Sequence, residues 1–152
     1  MPGIDTVDER IIAAPAAELY DIVLDYPHMR DWYPRYEVTV IGGGPVVVGT
    51  HLQHELSPPG SPIKSRFQRT ILSTDRPRSI EESYDEGDLV GRGRWEFEEL
   101  GDGRTRVAFH CAVRSNRLLM HVGFLLAGER GHHMVYEELL AALDARATAG
   151  RP

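Results

Sequence analysis

The chain has 152 residues, enough for one domain with a substantial core and too few for two ordinary ones. Its apolar and charged contents, 41% and 26%, are those of a globular protein. A net charge of -6, with no basic patch beyond short clusters such as Arg92 and Arg94, argues against a nucleic-acid partner. The single Cys111 excludes an internal disulfide and suits a reducing compartment, most simply the cytoplasm. Met1 to Asp5 has no basic or apolar run, so no secretory leader is expected. The longest apolar stretch, Val122 to Ala127, is far too short to span a bilayer.

Ile4 to Ile12 reads as a first strand, with Val7, Glu9 and Ile11 alternating against Asp8 and Arg10. Ala14-Pro15 starts a helix, since proline suits the first helical position, and Leu19, Ile22 and Val23 make its core face. Tyr26-Pro27 ends it, and His28 to Tyr33 forms a second short helix or turn before Pro34. Tyr36 to Ile41 is a strand, Gly42 to Pro45 a turn, and Val47 to Leu56 the next strand, with Leu52, His54 and Leu56 on one face. The run Pro58 to Pro62 is a loop. Ile63 to Thr74 then alternates Phe67, Arg69 and Ile71 against Arg66, Gln68 and Thr70.

Asp75 to Arg78 turns into a strand over Ser79 to Glu86, with Ile80, Glu82 and Tyr84 on one face. Leu89 to Leu100 is a strand with Trp95 and Phe97 together, preceded by Gly91 and Gly93. Gly101-Asp102-Gly103 makes a tight hairpin to Thr105 to Val113, where Val107, Phe109, Cys111 and Val113 face one way. Asn116 to Ala147 reads as one long helix of roughly 45 Å. Its apolar ladder, Leu118, Val122, Leu125, Tyr136, Leu139 and Leu143, lands on Glu129 and His132 midway. A neighbouring row, Leu119, Leu126, Leu140, is broken at His133. Gly123, Gly128 and Gly131 in the same half each cost about 1 kcal/mol against alanine, which close packing, a kink or an open space must explain. Consecutive strands on short turns mean an antiparallel meander with helices on one face, an α+β architecture that encloses space under the long helix.

Three stretches resemble the START-like (SRPBCC, helix-grip) superfamily, within it the polyketide cyclase/dehydrase-type group. They are Ile11 to Asp25 with Trp32-Tyr33-Pro34, then Thr74 to Ile80, and Gly93 to Phe97 followed by Gly101 to Val107. With the terminal helix the likeness covers nearly the whole chain, as one START-like domain with an ordered core over about 4–147. These are scaffold motifs: a strand-to-helix entry, two turns and a core strand. The resemblance implies a Bet v 1-like helix-grip fold: a curved seven-stranded antiparallel sheet around the C-terminal helix, with two short helices after strand 1. It implies an internal cavity for an apolar or aromatic small molecule. Similar proteins include lipid and hormone carriers and cyclases acting on polyketides, and no catalytic motif is shared among them, so none is carried over.

Glu129 and His132, at i and i+3, project from one helix face and make a candidate acid/base pair for enolisation or dehydration. The alternative is a helix turned or kinked at its glycines, with both in solvent at the cavity mouth. His54, between Leu52 and Leu56, is either a satisfied core or rim residue or a ligand contact. Arg69, between Phe67 and Ile71, holds a ligand carboxylate or phenolate if its face is concave, and is solvated if that face is the outer one. A slip of one residue would put Arg66 or Gln68 in its place. Phe67, Tyr84, Trp95 and Tyr136 line or floor the pocket, with plain core packing the competing account, for Trp95 above all. Trp32 and Tyr33 sit by the entrance, where an aromatic with a polar tip suits a wet rim.

Sharper chemistries lack their residues. No Cys/His spacing fits zinc, and adjacent His132 and His133 diverge by about 100° on a helix. Gly42-Gly43-Gly44 has neither the P-loop lysine nor the Rossmann pattern, Cys111 reads as core, and no Ser-His-Asp arrangement is visible. No cofactor or metal is expected. The expected function is binding of a small hydrophobic, aromatic, polyketide- or lipid-like ligand. The alternatives are a polyketide cyclase, aromatase or dehydratase, and a non-catalytic interaction or chaperone module. Whether the chain is a homodimer is left open.

Overall fold

The computed structural model describes residues 3–60, 62–115 and 128–149, with the backbone alone at 115, 128 and 129. In chain order the elements are β1 (Gly3–Ile12), α1 (Ala16–Leu24), a 3-10 helix (Tyr26–Asp31) and β2 (Tyr36–Val40). Then come β3 (His51–Leu56), β4 (Ser65–Asp75), β5 (Ser79–Gly87), β6 (Leu89–Glu99), β7 (Thr105–Ser115) and α2 (Gly128–Thr148). The strands make one seven-stranded sheet in the order β1-β7-β6-β5-β4-β3-β2, antiparallel throughout. The expected helix therefore appears from Gly128 onward, and its first part, 116–127, lies outside the described residues. Among the described residues no helix is long and apolar enough to cross a membrane.

α1 begins without a side-chain cap, and the Ala16 amide donates instead to Glu99 Oε1 at 3.3 Å, which satisfies one free donor of the first turn. Its buried face is Ala16, Leu19, Tyr20 and Val23. α2 buries Val135, Tyr136, Leu139, Leu140, Leu143 and Ala147, a helical stripe laid on the sheet's inner face. Arg10 on β1 clasps its far end through Asp144 at 2.8 Å.

Two sequence expectations change. β3 starts at His51 rather than Val47, because Gly49 takes φ +91 and the Val47 and Thr50 backbones close a turn at 3.0 Å. On β1 the inward row is Ile4, Thr6, Asp8 and Ile12, while Val7 and Ile11 are 47% and 46% exposed. Pairing decides this: Ile4, Thr6 and Asp8 lie opposite Val113, Cys111 and Phe109 of β7, whose side chains face the core. Partners in an antiparallel pair share a face, so β7 carries Asp8 inside.

The β4–β5 ladder slips twice, between Gln68 and Arg69 and between Ile71 and Ser73. The first slip skips Asp85 and sets Tyr84 directly opposite Arg69. Gly93 supplies room beside that pair. A Cβ there would lie 2.9 Å from the Phe109 ring and 3.1 Å from the Tyr84 ring. Gly93→Ala is expected to cost about 1–3 kcal/mol by overpacking, with a shift of the Tyr84 and Phe109 ring resonances. An unchanged melting temperature and spectrum would contradict this.

Candidate functional site

The inner face of the sheet gathers side chains from six strands and α2. β2 contributes Tyr36, β3 His54, β4 Phe67 and Arg69, β5 Glu82 and Tyr84, β6 Trp95, β7 Phe109, and α2 Tyr136; all are buried. Cross-strand register brings them together, since His54 pairs with Phe67, Arg69 with Tyr84 and Trp95 with Phe109. The rings pack closely: His54 on Phe67 at 5.1 Å, Phe67 on Tyr84 at 5.4 Å, and Phe109 on Tyr136 at 4.5 Å.

Arg69 is the hub and is 2% exposed, so β4 presents its Phe67–Arg69–Ile71 row inward. Its Nη1 donates to Glu82 Oε2 at 2.8 Å, and its Nη2 donates to the hydroxyls of Tyr84 and, at 3.2 Å, Tyr136. The guanidinium carbon lies 4.3 Å from the Tyr84 ring centroid. Burial works against the charge of Arg69, but the oxygens of Tyr84, Tyr136 and Tyr36 outweigh it and hold the group protonated. Burial pushes the Glu82 carboxyl up to about 8, and the guanidinium beside it opposes that rise. Burial likewise keeps Tyr84 and Tyr136 protonated.

The protons can be counted. Tyr84 accepts from Arg69, so its own proton is not used in that bond. Tyr136 also accepts from Arg69, and it shares one hydrogen bond with Tyr36 at 3.3 Å. Whichever of the two donates there, the other keeps a proton. The Cys111 thiol, 3.8 Å from the Tyr84 hydroxyl, also donates to it, so among the described residues two phenolic donors backed by a cation remain, with Arg69 Nε and Glu82 Oε1 also unpaired. Such an array suits an oxygen that carries or develops negative charge.

His54 is fully buried, and neither ring nitrogen has a hydrogen bond among the described residues. Burial, helped by the charge of Arg69, pushes its pKa well below the ordinary value, so the ring is neutral. Trp95 Nε1 and the Tyr26 hydroxyl are likewise buried without a partner among the described residues. An unpaired buried polar atom costs about 1–3 kcal/mol, and several on one inner face exceed what plain packing explains.

A second polar group joins β1 to α2. Asp8 Oδ1 bonds His133 Nδ1, while Oδ2 lies 3.5 Å from His132 Nδ1 and makes no hydrogen bond among the described residues. Thr6 Oγ1 is 3.1 Å from the same His132 nitrogen, and the His132 ring stacks on Tyr136 at 4.6 Å. Burial acts to raise the Asp8 pKa, but the two histidines outweigh it and hold the carboxyl below its ordinary value.

The structure thus brings His54, Phe67, Arg69, Tyr84, Trp95 and Tyr136 together, with His132 stacked at their edge. Trp32 is half-buried against the core. Tyr33 departs from the expected wet rim: it is buried, and its hydroxyl donates to the Val135 carbonyl at 3.3 Å, tying the segment after the 3-10 helix to α2. Glu129 falls in the first turn of α2, and its side chain lies outside the described residues. Cys111 is core as expected, its thiol pushed up to about 12 by burial.

Glu82, Tyr36, Asp8 and Thr6 were missed as site residues. The signal for Glu82 was its place between Ile80 and Tyr84; for Asp8 it was pairing with β7, which no local pattern reveals. A hollow of about 160 Å³ between Asp5, Glu81, Arg92 and Arg94 lies on the outer face, over β1, β5, β6 and β7. Among the described residues no cluster of three or more His, Cys, Asp or Glu side chains is placed to hold a metal.

A family profile described as polyketide cyclase / dehydrase and lipid transport matches residues 4–148. Among solved structures, TTHA0849 from Thermus thermophilus is similar at 20% identity and TM-score 0.77, over 98% of this chain and 100% of that one. A START superfamily protein from Mycobacterium smegmatis is similar at 18% and 0.74, over 94% and 96%. Norcoclaurine synthase from Thalictrum flavum, solved in complex with dopamine and hydroxybenzaldehyde, is similar at 13% and 0.66, over 99% and 89%. At these identities the likeness is one of fold. No curated protein sequence matches the chain.

Proposed function

Because the chain belongs to the polyketide cyclase / dehydrase and lipid transport family, we propose that it binds a small aromatic or polyketide-like molecule by a carbonyl or phenol oxygen. The observation that carries this reading is the pair of phenolic protons, from Tyr84 and from Tyr36 or Tyr136, that find no acceptor among the described residues beside the Arg69 guanidinium. Polyketide-like molecules combine flat rings with carbonyl and phenol oxygens. The inner face offers rings to stack on and donors for the oxygen. A purely apolar lipid chain would leave those donors unpaired, at about 1–3 kcal/mol each. Arg69 Nη1 is already taken up by Glu82 Oε2 and Nη2 by the Tyr84 and Tyr136 hydroxyls, so its part is to polarise the hydroxyls rather than to grip a ligand carboxylate. The solved complex of norcoclaurine synthase with two small oxygenated aromatics supports the reading by analogy of fold.

Calorimetric titration with 4-hydroxyacetophenone and with ethylbenzene, a comparable ring lacking both oxygens, tests it. The ketone is expected to bind at least about 10-fold more tightly, and Tyr84→Phe to remove about 0.5–1.5 kcal/mol of that preference. Equal affinity for the hydrocarbon, or no binding of either, would overturn it.

A further inference from the structure

We propose that His132 is the general base that removes the proton next to the carbonyl of the bound ligand, and that Asp8 and Thr6 position it. This rests on the ligand reading above. His132 presents Nδ1 to Thr6 Oγ1 at 3.1 Å and to Asp8 Oδ2 at 3.5 Å. A carboxylate beside Nδ1 favours the tautomer with its proton there, which makes Nε2 the basic nitrogen. The two nitrogens look out from opposite sides of the ring, so Nε2 is turned away from β1, and among the described residues it has no hydrogen bond.

The ring lies on Tyr136, whose hydroxyl belongs to the donor group around Arg69. A ligand oxygen held by those hydroxyls has its α-carbon two bonds away, and in this proposal that carbon sits against the His132 ring, which stacks on Tyr136 at 4.6 Å. The step balances without a cofactor. The Nε2 lone pair takes the α-proton, the C–H electrons form a carbon–carbon double bond, and the carbonyl electrons settle on oxygen as an enolate. Tyr84 and its neighbouring phenol donate to that oxygen, with the Arg69 charge behind them.

Asp8 then faces an imidazolium. Its Oδ2, buried and without a hydrogen bond among the described residues, is the acceptor that a charged His132 pairs with, while Oδ1 is fixed by His133. A latch joining α2 to β1 has no need of an open acceptor on the His132 side. A base that gains a charge during its work does.

The test follows deuterium entry into the methyl group of 4-hydroxyacetophenone in D2O, alongside titration of the same probe. The wild-type protein is expected to accelerate exchange above buffer and above an equal concentration of free histidine. His132→Gln is expected to lose about 100-fold or more in rate with affinity within about threefold. Asp8→Asn is expected to lose about 10-fold or more by favouring the wrong tautomer, with Asp8→Glu recovering part. Thr6→Val, which removes only a hydroxyl, is the milder positioning variant and lowers the rate by a smaller factor. Binding without exchange by wild type, or unchanged exchange in His132→Gln, overturns the inference and leaves the binding site standing. Failure of the probe to bind overturns both.

Discussion

Arg69→Leu is expected to remove about 3–5 kcal/mol of stability at pH 8 and to regain most of it at pH 5. The substitution leaves Glu82, fully buried, without its cation. Without the guanidinium nothing offsets burial, so the carboxyl lies higher than in wild type and well above its ordinary value. A group with a raised folded pKa contributes stability that is complete below its unfolded value and is lost as pH rises through the folded one. The loss is therefore smaller at pH 5 than at pH 8, and each pKa unit by which the two proteins differ is worth about 1.4 kcal/mol. Chemical denaturation at pH 5 and pH 8 reads it directly. Arg69→Leu combined with Glu82→Leu should recover much of the pH 8 deficit, because no charge is then left alone. A single variant equally unstable at both pH values would contradict the assignment of Glu82 as the stranded group.

Trp95→Ala is expected to cost about 3–5 kcal/mol, the usual loss for emptying a buried aromatic position. Trp95 is 1% exposed, 4.8 Å from Phe109 and 6.4 Å from Tyr136 by ring centroids, so the void opens beside the donor group. A cavity with apolar walls and the right shape binds a small ring. Added indole should therefore raise the melting temperature of the variant in a concentration-dependent way and leave wild type unmoved. A Trp95→Ala protein as stable as wild type, or one indifferent to indole, would show that Trp95 does not fill the space that shapes this face.

The fold was legible in the sequence because its signals are local. Two-residue alternation marked six strands, Gly101-Asp102-Gly103 marked a hairpin, and the Tyr136–Leu139–Leu143 row marked α2. β1 shows the limit. Val7 and Ile11 looked like its core row, but Phe109 and Cys111 across the ladder settle which side faces in, and that knowledge is non-local. The candidate site divides in the same way. Arg69, Tyr84 and Tyr136 stood out as polar or aromatic positions on apolar faces. Glu82 stood between Ile80 and Tyr84 in the same way, but its weight comes from the bulge that sets Tyr84 opposite Arg69 and from the contact with Arg69 this permits. Asp8 and His132, 124 positions apart in the chain, meet only when α2 lies across β1.

The proposed oxygen site is tested most directly by the carbonyl carbon resonance of 4-hydroxyacetophenone labelled with carbon-13 at that position. On binding to wild-type protein the resonance is expected to move downfield, as donors and a nearby cation draw electrons toward oxygen. In Tyr84→Phe the shift should be smaller at equal saturation. A bound probe whose carbonyl resonance stays where it lies in water, or shifts equally in Tyr84→Phe, would contradict a ligand oxygen held at the Arg69 cluster.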